Sequence, residues 1–193
     1  MKLVFATNNA HKLEEARQIL LPFVEVISLN DAGFFEDIEE TGLTLEANAS
    51  IKATTIFAAT GLDCFADDTG LEIEALDGRP GVYSARYAGP GHDFSANVDK
   101  VLEELQNESN RCARFRTAVS LILDGKEFFF EGIVEGSIMF ERAGTGGFGY
   151  DPVFRPDGFL KSFAELNSDE KNAISHRGRA LAKMVDFLKT LNS

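Results

Sequence analysis

Asp67 and Asp68 stand side by side, followed by Thr69 and Gly70, directly after the apolar run Cys64-Phe65-Ala66. Two carboxylates and a hydroxyl suit a hard divalent cation such as Mg²⁺, which takes oxygen ligands and keeps several of its waters. A carboxylate beside a metal-bound water can also take its proton. The competing reading is a polar turn, although paired acids after an apolar strand are costly unless something uses them. The two acids are adjacent, which excludes the D-x-D-x-T spacing of haloacid-dehalogenase phosphatases.

Four further segments carry chemistry of a compatible kind. Thr7-Asn8-Asn9-Ala10-His11-Lys12 lies where an apolar opening run gives way to helical spacing. Backbone N–H groups at a helix start favour a phosphate; Lys12 adds a charge, and Asn8 and Asn9 add donors. An asparagine cap beside an exposed lysine fits the same residues. The acidic run Glu36-Asp37-Ile38-Glu39-Glu40 can supply another metal ligand or be solvated surface. Gly144–Pro152 contains G-x-G-x-x-G, but Pro152 turns Asp151 away from helical geometry and no helix opens after the glycines, so dinucleotide binding is rejected. What remains is a loop presenting Phe148 and Tyr150, whose faces can stack on a base or anchor the loop to the core. Lys171 to Arg179 gathers Lys171, His176, Arg177 and Arg179 around a helix start. Positive charge there opposes the helix dipole, and a bound anion would offset it. There is no P-loop, nucleophile elbow or zinc spacing, and His11, His92 and His176 share no metal-ligand pattern.

These segments need elements to position them. Lys2–Ala6 reads as a buried strand, with a helix following Lys12 and a second strand over Val24–Leu29. A long helix is expected from Thr44 to Thr60, ended by Gly61. A short strand over Asp63–Ala66 runs into the paired acids. Asp77–Gly91 reads as loop, and Asn97 to Leu105 as a helix face. Phe115–Leu123 alternates as a strand, Asp124-Gly125 is a hairpin turn, and Glu127–Ile133 returns, with a separate strand over Val134–Phe140. Ser175 opens a last helix. The pattern is α/β with a mixed sheet.

The whole chain, 193 residues with 44% hydrophobic residues, is read as a single domain over 1–193 able to bury a core unaided. Its net charge of −12 argues against nucleic acid or an anionic membrane as a standing partner. One nucleotide needs only a local cationic pocket. Cys64 and Cys112 form no cluster, and the apolar start is too short for a signal peptide or membrane span, so a reduced, cytoplasmic setting is expected.

The ordered set of segments resembles the HAM1/inosine triphosphatase family: TNNAHK, EETGLTLEANASIKA, ADDTGLEI, GRPGVYSARYAG, GTGGFGYDPVF and EKNAISHRGRA. The resemblance implies an elongated mixed sheet with flanking helices and two lobes around a nucleotide-binding cleft, a homodimer, and Mg²⁺-dependent hydrolysis of ITP, dITP and XTP to the monophosphate and diphosphate. It implies that Thr7, Asn8, Asn9, Ala10, His11 and Lys12 grip the triphosphate. Asp68 becomes metal ligand and base, with Asp67 beside it; Glu39 or Glu40 shares the metal; and Thr69 donates to substrate where many relatives carry serine. Phe148, Gly149, Tyr150 and Asp151 contact base and ribose, Lys171 pairs with phosphate, and His176 and Arg177 with the base. A Maf-type pyrophosphatase is the alternative enzyme, opposed by SHRGRA and FGYD. A nucleotide sensor without turnover is opposed by the retained Asp67 and Asp68.

Overall fold

The computed structural model describes Met1 to Leu191. Its elements are β1 (Lys2–Phe5), α1 (Ala10–Leu20), β2 (Glu25–Ile27), α2 (Leu45–Thr60), β3 (Cys64–Ile73), β4 (Pro80–Gly81), α3 (Phe94–Glu104), β5 (Cys112–Leu123), β6 (Lys126–Ile138), β7 (Phe154–Pro156), α4 (Ser168–Ile174) and α5 (His176–Leu191). The sheet order is β2-β1-β3-β5-β6-β7, with β4 paired to β3. β1 runs parallel to β2 and β3, whereas β4 and β7 are antiparallel to their neighbours, so the sheet is mixed and the fold α/β.

The chain divides into two compact units. The first holds residues 1–68, 117–132 and the chain from His176 on; the second holds Thr69–Arg116 and Ile133–Ser175. In the first, strand alternation sorts the core. Leu3, Phe5 and Phe65 join Ala16 and Leu20 of α1 and Leu181, Met184 and Leu188 of α5, with the Phe5 and Phe65 rings stacked at 4.4 Å. Val4, Ala6, Cys64 and Ala66 point the other way and meet Ala53 and Ile56 of α2. Thr44 caps α2 by accepting from Ala47 N–H, and Gly61 ends it at φ 68°, a left-handed conformation that suits glycine. Asp124 and Gly125 both have positive φ, as a two-residue hairpin loop requires. The second unit has its own core around Leu71, Val98, Val101, Phe115, Phe154 and Phe163.

The structure revises three of the expected boundaries. Asp67 to Gly70 is no turn: β3 continues through it to Ile73. The strand tolerates glycine there because Gly70 lies against the backbone of Gly81 on β4, where a Cβ would come within 2.7 Å of a carbonyl oxygen. The two strands expected over 127–140 are one, β6. Finally, Lys171 lies on a separate short helix, α4, which Asn167 and Glu170 close with a capping box.

Candidate functional site

In an extended strand neighbouring residues face opposite sides, so adjacent Asp67 and Asp68 make their direct contacts with different helices. Asp67 follows the parity of Phe65, toward α1 and α5. Its Oδ1 accepts from Lys12 Nζ at 2.9 Å and its Oδ2 from Arg177 Nε at 2.8 Å. Arg177 Nη1 in turn donates to Glu15, one turn beyond the phosphate-like segment of α1. Asp68 follows Ala66, toward α2, where Asn48 Nδ2 donates to its Oδ2 at 3.1 Å and Lys52 Nζ lies 3.9 Å from its Oδ1. Lys52 also donates to Glu40 Oε1 at 2.5 Å. The first unit therefore packs Lys12, Lys52 and Arg177 together with Glu15, Glu40, Asp67 and Asp68.

Each of these charges is displaced from its ordinary behaviour. Burial alone would raise Asp67, but Lys12 and Arg177 hold its carboxyl well below the usual range. Burial raises Asp68, and its cations do not fully reverse this, so it is the more basic acid of the two. Burial lowers Lys12 despite Asp67. Burial also opposes the charge on Lys52, yet Asp68 and Glu40 together raise it. Arg177 is raised by Asp67 and Glu15 against its burial.

The loop after β1 is organised by its own side chains. Asn9 Oδ1 accepts from the N–H groups of His11 and Lys12, capping α1, and Asn9 N–H donates to Thr7 Oγ1. Two amides expected to meet phosphate thus already have an internal acceptor. Asn8 donates to Asp37 of the acidic run at 2.9 Å, and His11 is exposed.

The second unit holds the other set. Thr69 is half-buried on β3. Asp151 Oδ2 accepts from Phe148 N–H at 2.8 Å and from Lys171 Nζ at 2.7 Å, and that ammonium sits 5.0 Å from the Phe148 ring centre. Lys171 is grouped with the aromatic loop, where a phosphate contact was expected. Gly147, at φ 69°, leaves room for Asp151: a Cβ would fall 2.1 Å from Asp151 Oδ2. Gly149 is also left-handed, at φ 61°. Tyr150 takes the anchoring role, buried in the core with its hydroxyl donating to Ser84 O at 2.7 Å. Phe148 stays half-buried. His176 and Arg177, buried at the start of α5, belong to the first unit.

The acidic run resolves into two different residues. Glu40 meets Lys52, whereas Glu39 is exposed. Among the described residues no trio of His, Cys, Asp and Glu is gathered as an all-protein metal cage. Mg²⁺ rarely uses one, taking one or two carboxylates with waters and substrate phosphates. Asp68 and Glu40 converge on one ammonium, the geometry a small cation needs, and they fit that role. Asp67, with both oxygens accepting from cations and its side chain on the opposite face of the strand, fits it poorly.

Lys52, Asn48 and Glu15 escaped the sequence reading. Asn48 and Lys52 are four residues apart and so share a helix face. Two polar side chains in register on an alanine-rich buried helix were the available clue.

The sequence profile of the Ham1 family matches residues 3–187. The chain is 50% identical over 188 residues to the dITP/XTP pyrophosphatase of Flavobacterium johnsoniae, covering 97% of this chain and 98% of the relative. It is 55% identical over 188 residues to the dITP/XTP pyrophosphatase of Porphyromonas gingivalis, covering 97% of each. The structure of a HAM1 protein from Coxiella burnetii superposes with a TM-score of 0.90 at 39% identity, covering 98% of this chain and 99% of that one.

Proposed function

Because the chain belongs to the Ham1 family, we propose that it is a nucleoside triphosphate pyrophosphatase that hydrolyses ITP, dITP and XTP to the monophosphate and diphosphate, removing deaminated purines from the nucleotide pool. The observation that carries the reading is the buried charge cluster on Asp67 and Asp68, in which Lys12, Lys52 and Arg177 are gathered around carboxylates. A bare triphosphate would bring several negative charges to cations that already meet carboxylates, so the cluster calls for a further cation. Asp68 and Glu40 are the residues to hold it as Mg²⁺, which when bound supplies positive charge to the phosphates and acidifies a water.

The chain's own groups then divide the work. Asp68, kept basic by burial, accepts the proton of the water that attacks the α-phosphorus. No residue need become covalently attached, consistent with the lack of a nucleophile motif. Lys12 and Lys52 balance charge on the phosphates, and fixed charges of this kind need no reorganisation at the moment of reaction. Thr7 to His11 shape the phosphate end, and Thr69 donates to substrate. Phe148 stacks on the base, Asp151 fixes the loop carrying it, and Lys171 holds Asp151. Arg177 and His176 are assigned the reading of the 6-oxo group of hypoxanthine or xanthine, since both side chains carry N–H donors. Donors aimed at a 6-amino group would be left unpaired, which disfavours ATP by about 10⁴-fold or more.

The protein is proposed to act as a homodimer in the cytoplasm. No helix among the described residues is long and apolar enough to cross a membrane. Hydrolysis of ITP with Mg²⁺ and detection of diphosphate, with ATP as the control, tests the reading. Release of inorganic phosphate, or equal turnover of ATP, would replace it with another nucleotidase.

A further inference from the structure

Asn48 is fully buried on α2, and both ends of its amide are engaged. Its Nδ2 donates to Asp68 Oδ2 at 3.1 Å, and its Oδ1 accepts from Gly42 N–H at 2.7 Å. A carboxylate only accepts and a backbone N–H only donates, so the amide has one workable orientation. Gly42 lies two residues beyond Glu40, and one side chain therefore ties the Asp68 strand to the Glu40 loop. The fit at Gly42 is close: a Cβ there would come 2.6 Å from Asn48 Oδ1, 2.8 Å from Ala47 Cβ and 2.9 Å from Asn48 N. With Oδ2 of Asp68 held by Asn48, it is Oδ1 that faces Lys52, and Lys52 also receives Glu40.

We infer that Asn48 is a positioning residue for hydrolysis, fixing which oxygen of Asp68 works as base and setting the distance between Asp68 and Glu40. The inference rests on the proposed pyrophosphatase reading for its kinetic arm only. Asn48 acts through the base and the cation-facing carboxylates, so its loss should appear in kcat and in cation affinity, and leave KM for ITP nearly unchanged.

The test uses Asn48→Ala, Asn48→Asp and Gly42→Ala in the full chain. Mn²⁺ binding is measured without nucleotide by the paramagnetic resonance of free Mn²⁺, alongside steady-state ITP hydrolysis and thermal melts. Asn48→Ala is expected to lower kcat by about 30-fold and weaken Mn²⁺ by about 10-fold, the range for removing a group that orients a ligand, with KM within about 3-fold. Asn48→Asp keeps the acceptor for Gly42 but turns an anion on Asp68, so kcat should fall at least as far. Gly42→Ala keeps the Asn48 side chain but forces the loop away from it, and should weaken Mn²⁺ even if Asn48→Ala does not fold. In the double variant the losses should overlap rather than multiply, because both act on one link. Wild-type Mn²⁺ affinity in both Asn48→Ala and Gly42→Ala, a kcat loss matched by a KM rise, or multiplying losses would overturn the inference. An inactive wild type would remove the pyrophosphatase reading, while the Mn²⁺ comparison would still decide the role of Asn48.

Discussion

Arg177 Nε donates to Asp67 Oδ2 at 2.8 Å across 110 residues of sequence, and neither side chain is more than 2% exposed. The pair joins the start of the last helix to the middle of β3. Lys12 on the other oxygen and Glu15 on the guanidinium extend it into a four-residue chain of alternating charge. Desolvating such charges is expensive, and removing one member leaves its neighbours buried with less compensation.

Asp67→Asn should therefore cost about 3–5 kcal/mol at neutral pH. The sign of its pH dependence follows from the depressed folded-state value. The stabilisation is present above the unfolded-state value of 3.8 and is lost as pH falls toward the lower folded-state value. The gap in unfolding free energy between wild type and variant should be constant from neutral pH down to about 4.5 and narrow below about 3.5. A gap that widened in acid would contradict the assignment.

Arg177→Ala should destabilise by a similar amount, since it removes the guanidinium that meets Asp67 and Glu15. Arg177→Lys keeps the charge but loses the planar fork. It should fold with a modest loss of stability and narrow the ITP/ATP ratio of kcat/KM by about 10-fold or more. An unchanged ratio in a folded Arg177→Lys protein would leave His176 as the base reader.

Glu40→Gln and Glu39→Gln separate the two acidic neighbours. Only Glu40 approaches Lys52 and hence Asp68, so Glu40→Gln should raise the Mg²⁺ concentration for half-maximal activity by about 10-fold or more. Glu39→Gln should stay within about 2-fold of wild type, as expected of an exposed side chain. The reverse order would move the cation site.

Lys171→Ala leaves Asp151 buried without its 2.7 Å partner, loosening the loop that presents Phe148. KM should rise for ITP, XTP and GTP by similar factors, as it should for Phe148→Ala, because stacking does not distinguish purines. A change confined to the phosphate end, seen as weaker competition by diphosphate alone, would return Lys171 to the phosphate set.

Local chemistry was what the sequence made legible. Thr44 and Gly61 bracket α2 because caps are set by neighbouring residues, and Asp124-Gly125 announces its hairpin for the same reason. Asp67 and Asp68 stood out as paired acids after an apolar strand, yet their division between two faces was hidden while that strand was expected to end at Ala66. That division depends on β3 running on through Gly70, which the bridge to Gly81 permits. The partners of each acid come from α1, α2 and α5, so Lys52, Asn48 and Glu15 gain meaning only from long-range packing. The neighbours Glu39 and Glu40 were indistinguishable by type, and the approach of Lys52 separates them.

The central claim is attack of water on the α-phosphorus with Asp68 as base. Hydrolysis of ITP in ¹⁸O-labelled water, with Mg²⁺, tests it most directly by mass spectrometry of both products. The account predicts one label in IMP and none in diphosphate, with turnover falling by about 10³-fold or more in a folded Asp68→Asn protein. Label in the diphosphate, IDP with inorganic phosphate as the products, or near-normal kcat in Asp68→Asn would contradict it.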